Sequence, residues 1–292
     1  QLDHMTRGRV MFGVGPGSLP SDAFAMGFHP NEQRRRMNEA LDVLVPLLNG
    51  ERINAETDWF VLKEAKLQLP SFSKPMIEMA VASLRSPAGA LAAGKHGIGL
   101  LSLGGTSNEA LTAHAENWRR CKEAAIEYNQ EVDRKNWRIV TLMHIAETRE
   151  QAEANITFGL DKFSGYFRDI APTPIVPPGV TDPLKYLRDT KMAVIGTPQD
   201  AIEHIERLLK GSGGFGVLLE LAHDWANWEQ TQKNYELMSR YVIPHFQSSI
   251  KVRSEAYNDV AANREKYVGA VNDAIDTETR RYKERQQKLK SQ

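Results

Sequence analysis

The chain alternates two hydrophobic patterns. Short continuous apolar runs stand at 9–15 (RVMFGVG), 75–83 (PMIEMAVAS), 97–105 (GIGLLSLGG), 136–148 (NWRIVTLMHIAET) and 215–225 (FGVLLELAHDW). Between them, apolar residues return every three or four positions. In 31–50, for example, Met37, Ala40, Leu41, Leu44, Leu47 and Leu48 share one helical face that stops at Gly50. Further helices are predicted over 86–97, over about 108–134, from about 149, and over 198–210, where GSGG ends the pattern. The opening QLDHMT reads as the last turn of a helix, and DWFVLKEAKLQLP within 51–70 predicts a small hairpin.

Strands that are apolar throughout are buried on both faces, as parallel strands covered by helices are. A doubly wound sheet and a (β/α) barrel both satisfy this order of elements. A complete eight-fold barrel takes about 250 residues, so the arithmetic favours a barrel lacking roughly 90 residues upstream, although five parallel strands alone also make an open sheet. Two connections exceed what such units need, 51–74 and 157–197. The second contains IAPTPIVPPGVTDP, five prolines in 14 positions, and is expected to act as a lid or a subunit contact. The predicted organisation is a partial barrel over 1–250 with an insertion at about 157–197, followed by a helical tail over 251–292. In that tail Tyr257, Val260, Tyr267, Val271 and Ile275 recur near helical spacing, which predicts one packed face.

Charge narrows the partners. The 37 Lys and Arg balance 37 Asp and Glu, with no long block of either sign, which argues against nucleic acid or an anionic membrane surface. The single cysteine, Cys121, allows no disulfide within the chain and fits a reducing compartment. No apolar run approaches the roughly 18 residues of a membrane span. A cytoplasmic location is expected.

Three motifs carry candidate chemistry. In GVGPGS, Gly13, Gly15 and Gly17 alternate instead of following G-x-G-x-x-G. Pro16 removes a backbone donor, and Pro20 is expected to keep the chain out of helix until about residue 31. A dinucleotide fingerprint is therefore excluded. What remains is either a strand end cleared for something flat or a plain tight turn. In VASLRSPAGALAAGKHG, Ser86 reads as an N-cap and Pro87 as the first helical residue. The amides of that helix start, with Ser83, Arg85 and Ser86, would hold a phosphate or carboxylate, although every helix needs a cap. In LAHDWANW, His223, Asp224 and Trp225 stand at the end of the last strand. His223 is the first candidate for a catalytic residue, ahead of His144 and His96, against the ordinary reading of a buried histidine bonded to backbone. No histidine pair has H-x-H or H-E-x-x-H spacing, so no metal is expected.

Together these stretches resemble the bacterial luciferase-like, flavin-dependent monooxygenases. The resemblance runs from LDHMTRGRVMFGVGPG through AVASLRSPAGALAAGKHGIGLLSLG and VIGTPQDAIEHIERLL to SRYVIPHF. GVGPGSLPSDAFAMG and HDWANW are similar to the limonene and alkane monooxygenase branch. The resemblance implies an α/β fold, a (β/α)8 TIM barrel of which about strands 4–8 are present, so that the sequence is N-terminally incomplete. A histidine that some members carry in the active site would then lie in the absent region. It implies reduced FMN as cofactor, with FAD or F420 as alternatives, its ring against Gly15, Pro16 and Gly17. The phosphate would lie at Ser83, Arg85, Ser86, Ala88 and Gly89. Reduced flavin would come from a separate NAD(P)H-dependent flavin reductase and react with O2 to a C4a-(hydro)peroxyflavin that oxygenates a small apolar substrate. Phe24, Met26 and Phe28 would line the pocket, and Tyr166 and Phe167 would close it. A homo-oligomer is expected. Two alternatives stay open: a deazaflavin (F420)-dependent dehydrogenase of the same fold, and a non-catalytic flavin-binding protein.

Overall fold

All five apolar runs become parallel strands. The computed structural model describes residues 1–84, 86–247 and 249–290, which fall into two units, Gln1–Leu237 and Met238–Gln292. The first unit opens with α1 (Leu2–Thr6), β1 (Met11–Val14), α2 (Pro20–Ala25) and α3 (Gln33–Leu48). The antiparallel hairpin β2 (Ile53–Glu56) and β3 (Val61–Ala65) follows, as the sequence predicts. Next come β4 (Glu78–Ser83), α4 (Ala88–His96), β5 (Gly99–Ser102), α5 (Asn108–Glu127) and β6 (Trp137–Ile145). After α6 (Arg149–Ile156), the insertion holds α7 (Leu160–Asp169), α8 (Pro183–Asp189) and β7 (Ala193–Gly196). The unit closes with α9 (Pro198–Ser212), β8 (Val217–Glu220) and α10 (Trp228–Leu237).

Two expectations need correction. Pro20 does not delay helix formation; it begins α2, because a proline at the first helical position gives up an N–H that has no intrahelical partner anyway. The 157–197 connection is not a bare proline-stiffened loop. It carries two helices and a short strand, and Ile175 and Val176 of its proline-rich stretch pack on a core formed by Leu142, Ile156, Leu187, Ile195 and Trp225.

Strand order is β1-β4-β5-β6, with β7 and β8 both paired to the long β6. β6 bonds β5 through Trp137–Ile139, β8 through Arg138–Thr141, and β7 through Leu142–Ile145. Backbone groups of successive residues in a strand point to opposite edges. The Thr141 carbonyl accepts from the Leu221 amide at 2.9 Å, whereas the Ala146 amide donates to the Gly196 carbonyl at 2.8 Å. β5 and β7 therefore lie end to end along one edge of β6, and β8 takes the other. This is a TIM-barrel-like α/β sheet, open at β1 and β8 among the described residues.

Side chains alternate accordingly. Ile139 and Thr141 face the outer helices, with Ile139 in the core that includes Leu208 of α9 and Thr141 beside His204. Arg138, on the other face and 3% exposed, pairs with Glu78 across the sheet. On the helical side Trp118 of α5 stacks on Trp137 with ring centres 4.9 Å apart, and the Trp137 indole N–H donates to Ser102 Oγ at 2.9 Å. The close seat of α4 depends on glycine. A Cβ on Gly94 would stand 2.1 Å from the Cys121 carbonyl oxygen of α5.

The second unit comprises a π-turn at Met238–Val242, α11 (Ile243–Phe246), α12 (Ser249–Ala262) and α13 (Arg264–Lys290). Tyr257, Val260, Tyr267, Val271 and Ile275 of the predicted stripe are exposed in the single chain. No described helix is long and apolar enough to cross a membrane.

Candidate active site

The register Val14↔Val81 between β1 and β4 brings the first two motifs together. Gly15 lies beside Ala82, where a Cβ would stand 3.3 Å from the Ala82 methyl. Gly17 has φ +85°, the left-handed region that glycine enters at no steric cost. The Gly15–Pro16–Gly17 turn and the Ser83–Gly89 segment thus occupy neighbouring strand ends, on the C-terminal side where barrel enzymes bind their ligands.

The start of α4 departs from the sequence reading. Pro87, with φ −70° and ψ −9°, is already in the helical region, so the cap position moves onto it and Ser86 falls one residue outside. Among the described residues no side chain caps α4, and its first helical bond runs from the Leu91 amide to the Pro87 carbonyl. The helices after β5, β6 and β7 are each capped by their own side chain, Ser107, Thr148 and Thr197. The amides of Ala88, Gly89 and Ala90 are left for another acceptor, with the half-buried Ser86 beside them. Gly89 has a packing reason of its own. A Cβ there would stand 2.2 Å from the Ala82 carbonyl oxygen, so glycine lets the helix start sit directly on the strand end. Ser83 is 2% exposed and its hydroxyl accepts from Asn117 Nδ2 at 3.3 Å, which turns it towards α5. Arg85 lies outside the described residues.

At the end of β8, His223 is boxed in aromatic rings. It stacks on Trp225 with centres 4.0 Å apart, and Phe163 of α7 meets His223 at 6.0 Å and Trp225 at 5.4 Å. Phe163 also touches Phe167 at 5.0 Å, and Tyr166 touches Phe167 at 5.4 Å. The two residues expected to close the pocket are therefore brought to the His223–Trp225 cluster. The His223 Nε2–H donates to the Met143 carbonyl at 3.0 Å, and Nδ1 accepts from the Trp225 amide at 3.4 Å. That fixes the neutral Nε2–H tautomer, and burial holds the ring below its ordinary pKa.

His144, 1% exposed at the end of β6, accepts from Asn155 Nδ2 at 3.1 Å. Burial, with His223 nearby, pushes its pKa down to about 4, so it too is neutral at pH 7. The Trp225 indole nitrogen is buried with no partner among the described residues. His96 belongs to another place, the last turn of α4, where Nε2 lies 3.2 Å from Asp42 Oδ1. Phe24 and Met26 are exposed, and Phe28 lies under the Arg36 guanidinium at 4.5 Å. Sequence reasoning missed Asn155 and Asn234. The Asn234 Oδ1 accepts from the buried Ile145 amide at 2.7 Å, and its Nδ2 donates to Glu220 Oε1 at 3.0 Å. Polar residues inside amphipathic helices give no signal that distinguishes them from solvent-facing ones. Among the described residues no cluster of His, Cys, Asp or Glu is arranged to hold a metal ion.

A parallel sheet under helices, with a glycine-cleared turn and a helix start at adjacent strand ends, is a TIM-barrel-like α/β arrangement. Residues 1–214 match the luciferase-like monooxygenase family, and the chain belongs to it. It is 41% identical over 257 residues to the limonene 1,2-monooxygenase of Rhodococcus erythropolis, covering 88% of this chain and 66% of that protein. It is 35% identical over 269 residues to the 4-hydroxyprotoasukamycin monooxygenase of Streptomyces nodosus subsp. asukaensis, covering 89% of this chain and 72% of that one. The chain thus spans about two thirds of the length of the first of these relatives. Its fold is similar to the oxygenating constituent of 3,6-diketocamphane monooxygenase from Pseudomonas putida, solved in complex with FMN. That likeness has TM-score 0.62 and 23% identity, over 83% of this chain and 72% of that one.

Proposed function

We propose that the protein is a flavin-dependent monooxygenase that transfers one atom of O2 to a small apolar organic substrate, with terpenes of limonene size as the first class to test. The observation that carries the cofactor assignment is the uncapped start of α4 beside the Gly15–Gly17 turn. The residues present fit FMN. Ser86 and the Ala88 and Gly89 amides would take the phosphate, and Gly15, Pro16 and Gly17 would lie along the ring. Reduced flavin held there would supply the two electrons that oxygen transfer needs, with the second oxygen atom released as water.

The chain's own part is orientation and exclusion of water. Phe163, Tyr166, Phe167 and Trp225 form an apolar wall at the strand ends, and the two neutral histidines add no charge to it. Here His223 is a positioning residue, holding the β6 backbone while its ring joins the wall. The protein would work in the cytoplasm as a homo-oligomer with a separate NAD(P)H-dependent flavin reductase.

The test is incubation with limonene, FMN, NADH, a flavin reductase and ¹⁸O2. A product carrying one ¹⁸O atom, absent without the protein, is expected. Substrate oxidation that proceeds without O2 when oxidised F420 is supplied in place of FMN would point to hydride transfer to a deazaflavin instead. Flavin binding with no oxidation of limonene or of a panel of small apolar compounds would leave a binding protein.

A further inference from the structure

A second concave site lies over β7, and none of its residues belongs to the proposed flavin site. It is a cavity of about 460 Å³ whose lining includes Arg149, Arg188, Lys191 and Arg207, with His204 in its wall. That volume accommodates a small organic ligand. Two of the cations are already neutralised. Arg149 pairs with Asp200 at 2.5 Å, and Arg188 pairs with Glu153.

The other two are not. Among the described residues no carboxylate pairs with Lys191 or Arg207. Arg207 is tied into place by neutral acceptors. Its Nη2 donates to the Thr106 carbonyl at 2.5 Å and to His204 Nδ1 at 3.4 Å, and its Nη1 donates to Asn108 Oδ1 at 3.1 Å, while its Nε is buried with no partner among the described residues. Lys191 stands in the left-handed region, φ 58°, and its carbonyl accepts from Thr106 Oγ1 at 2.9 Å. One buried threonine, Thr106, thus holds the Arg207 guanidinium through its carbonyl and the Lys191 backbone through its hydroxyl. Holding an unneutralised guanidinium partly out of water is costly unless an anion completes it. His204, 8% exposed, is kept neutral by burial and does not add a third charge.

We propose that this cavity binds the dianionic phosphate of a small phosphorylated molecule, with Lys191 and Arg207 as its charged ligands. Lys191 and Arg207 have no carboxylate partner among the described residues, and an ammonium and a guanidinium both suit phosphate oxygens. Glu203, also in the lining, would repel a second anionic group and is placed to accept from a hydroxyl of the same ligand.

The test titrates the full chain with inorganic phosphate and with ribose 5-phosphate by calorimetry, in the wild type, Lys191→Gln and Arg207→Lys. Both probes are expected to bind the wild type, ribose 5-phosphate the tighter. Lys191→Gln should weaken both by about tenfold or more, because one charge-assisted contact is lost. Arg207→Lys keeps the charge and loses the fork, and should weaken binding with an unchanged circular dichroism spectrum. Saturating FMN should leave these titrations unaltered. Three results would overturn the proposal: no binding of either probe at millimolar concentration, binding unaffected by Lys191→Gln, or displacement of phosphate by FMN.

Discussion

The imidazole Nε2 of His223 stands 3.0 Å from the Met143 carbonyl oxygen, at a level where β8 has already left β6. Met143 is odd-numbered like Thr141, so its carbonyl points to the edge that β8 covers only as far as Glu220. One step further on, the Ile145 amide meets Asn234 in the same way. Two side chains thus continue the ladder that the strand abandons, and they keep the mouth end of β6 straight.

Replacing His223 by Phe keeps the stack on Trp225 and leaves the Met143 carbonyl unpaired. Stability should fall by about 1–3 kcal/mol, the cost of one buried unsatisfied group. His223→Gln, which can still donate, should recover part of it. Urea denaturation of the two variants provides the check. If His223→Phe were fully stable yet abolished turnover, the residue would belong to the chemistry and not to the scaffold.

The glycine at 89 is set by the strand beneath it. Gly89→Ala would drive a methyl to 2.2 Å from the Ala82 carbonyl oxygen, and backbone cannot yield as a flexible side chain does. A loss of about 1–3 kcal/mol is expected from overpacking, together with weaker FMN binding as the α4 amides move. Thermal melts with and without FMN would separate the two effects. An unchanged melting temperature would mean that α4 does not rest on β4 as described.

Asn234 makes a sharper prediction, because Asn234→Asp keeps the acceptor for the Ile145 amide. It removes the donor to Glu220 and sets two carboxylates together, where burial already raises the Glu220 pKa. The variant should be destabilised at pH 7 and should recover relative to wild type towards pH 5, as the pair takes up one proton. A deficit that does not depend on pH would argue against the contact.

The strands were legible because burial on both faces leaves continuous apolar runs, and five such runs stand where β1, β4, β5, β6 and β8 stand. β7 was not legible. Ala193–Gly196 is four residues long, follows a proline-rich stretch, and owes its strand conformation to the free edge of β6 beyond β5. The helix start at Pro20 and the displaced cap at Ser86 share one cause. Proline is favoured both as a breaker and as an initiator, and sequence alone does not say which side of it the helix lies on. Of the candidate site, the glycine turn and the Ser86 segment were readable as motifs. The roles of Ser83 and His223 were not, since a hydroxyl turned to Asn117 and a ring turned to a strand carbonyl are set by packing.

Acid should weaken the whole unit. His144 and His204 are held at about 4 and about 3 by burial, whereas in the unfolded chain they titrate near the ordinary histidine value. The folded state therefore binds fewer protons, and stability is full above about pH 6.5 and falls as pH drops from there towards 4. Each such histidine contributes a slope of up to about 1.4 kcal/mol per pH unit. Urea midpoints at pH 7 and pH 5 should show the fall, with a shallower one in His204→Gln; a flat profile would refute the burial of both rings.

The most direct measurement compares FMN with riboflavin, which lacks the phosphate, by quenching of flavin fluorescence in wild type and in Ser86→Asp. If the start of α4 holds the phosphate, the wild type binds FMN about tenfold or more tighter than riboflavin, as charge-assisted bonds require. Ser86→Asp places a carboxylate at that position and erases the preference while riboflavin still binds. Equal affinity for the two flavins in the wild type, or a preference for FMN that survives Ser86→Asp, would contradict the site.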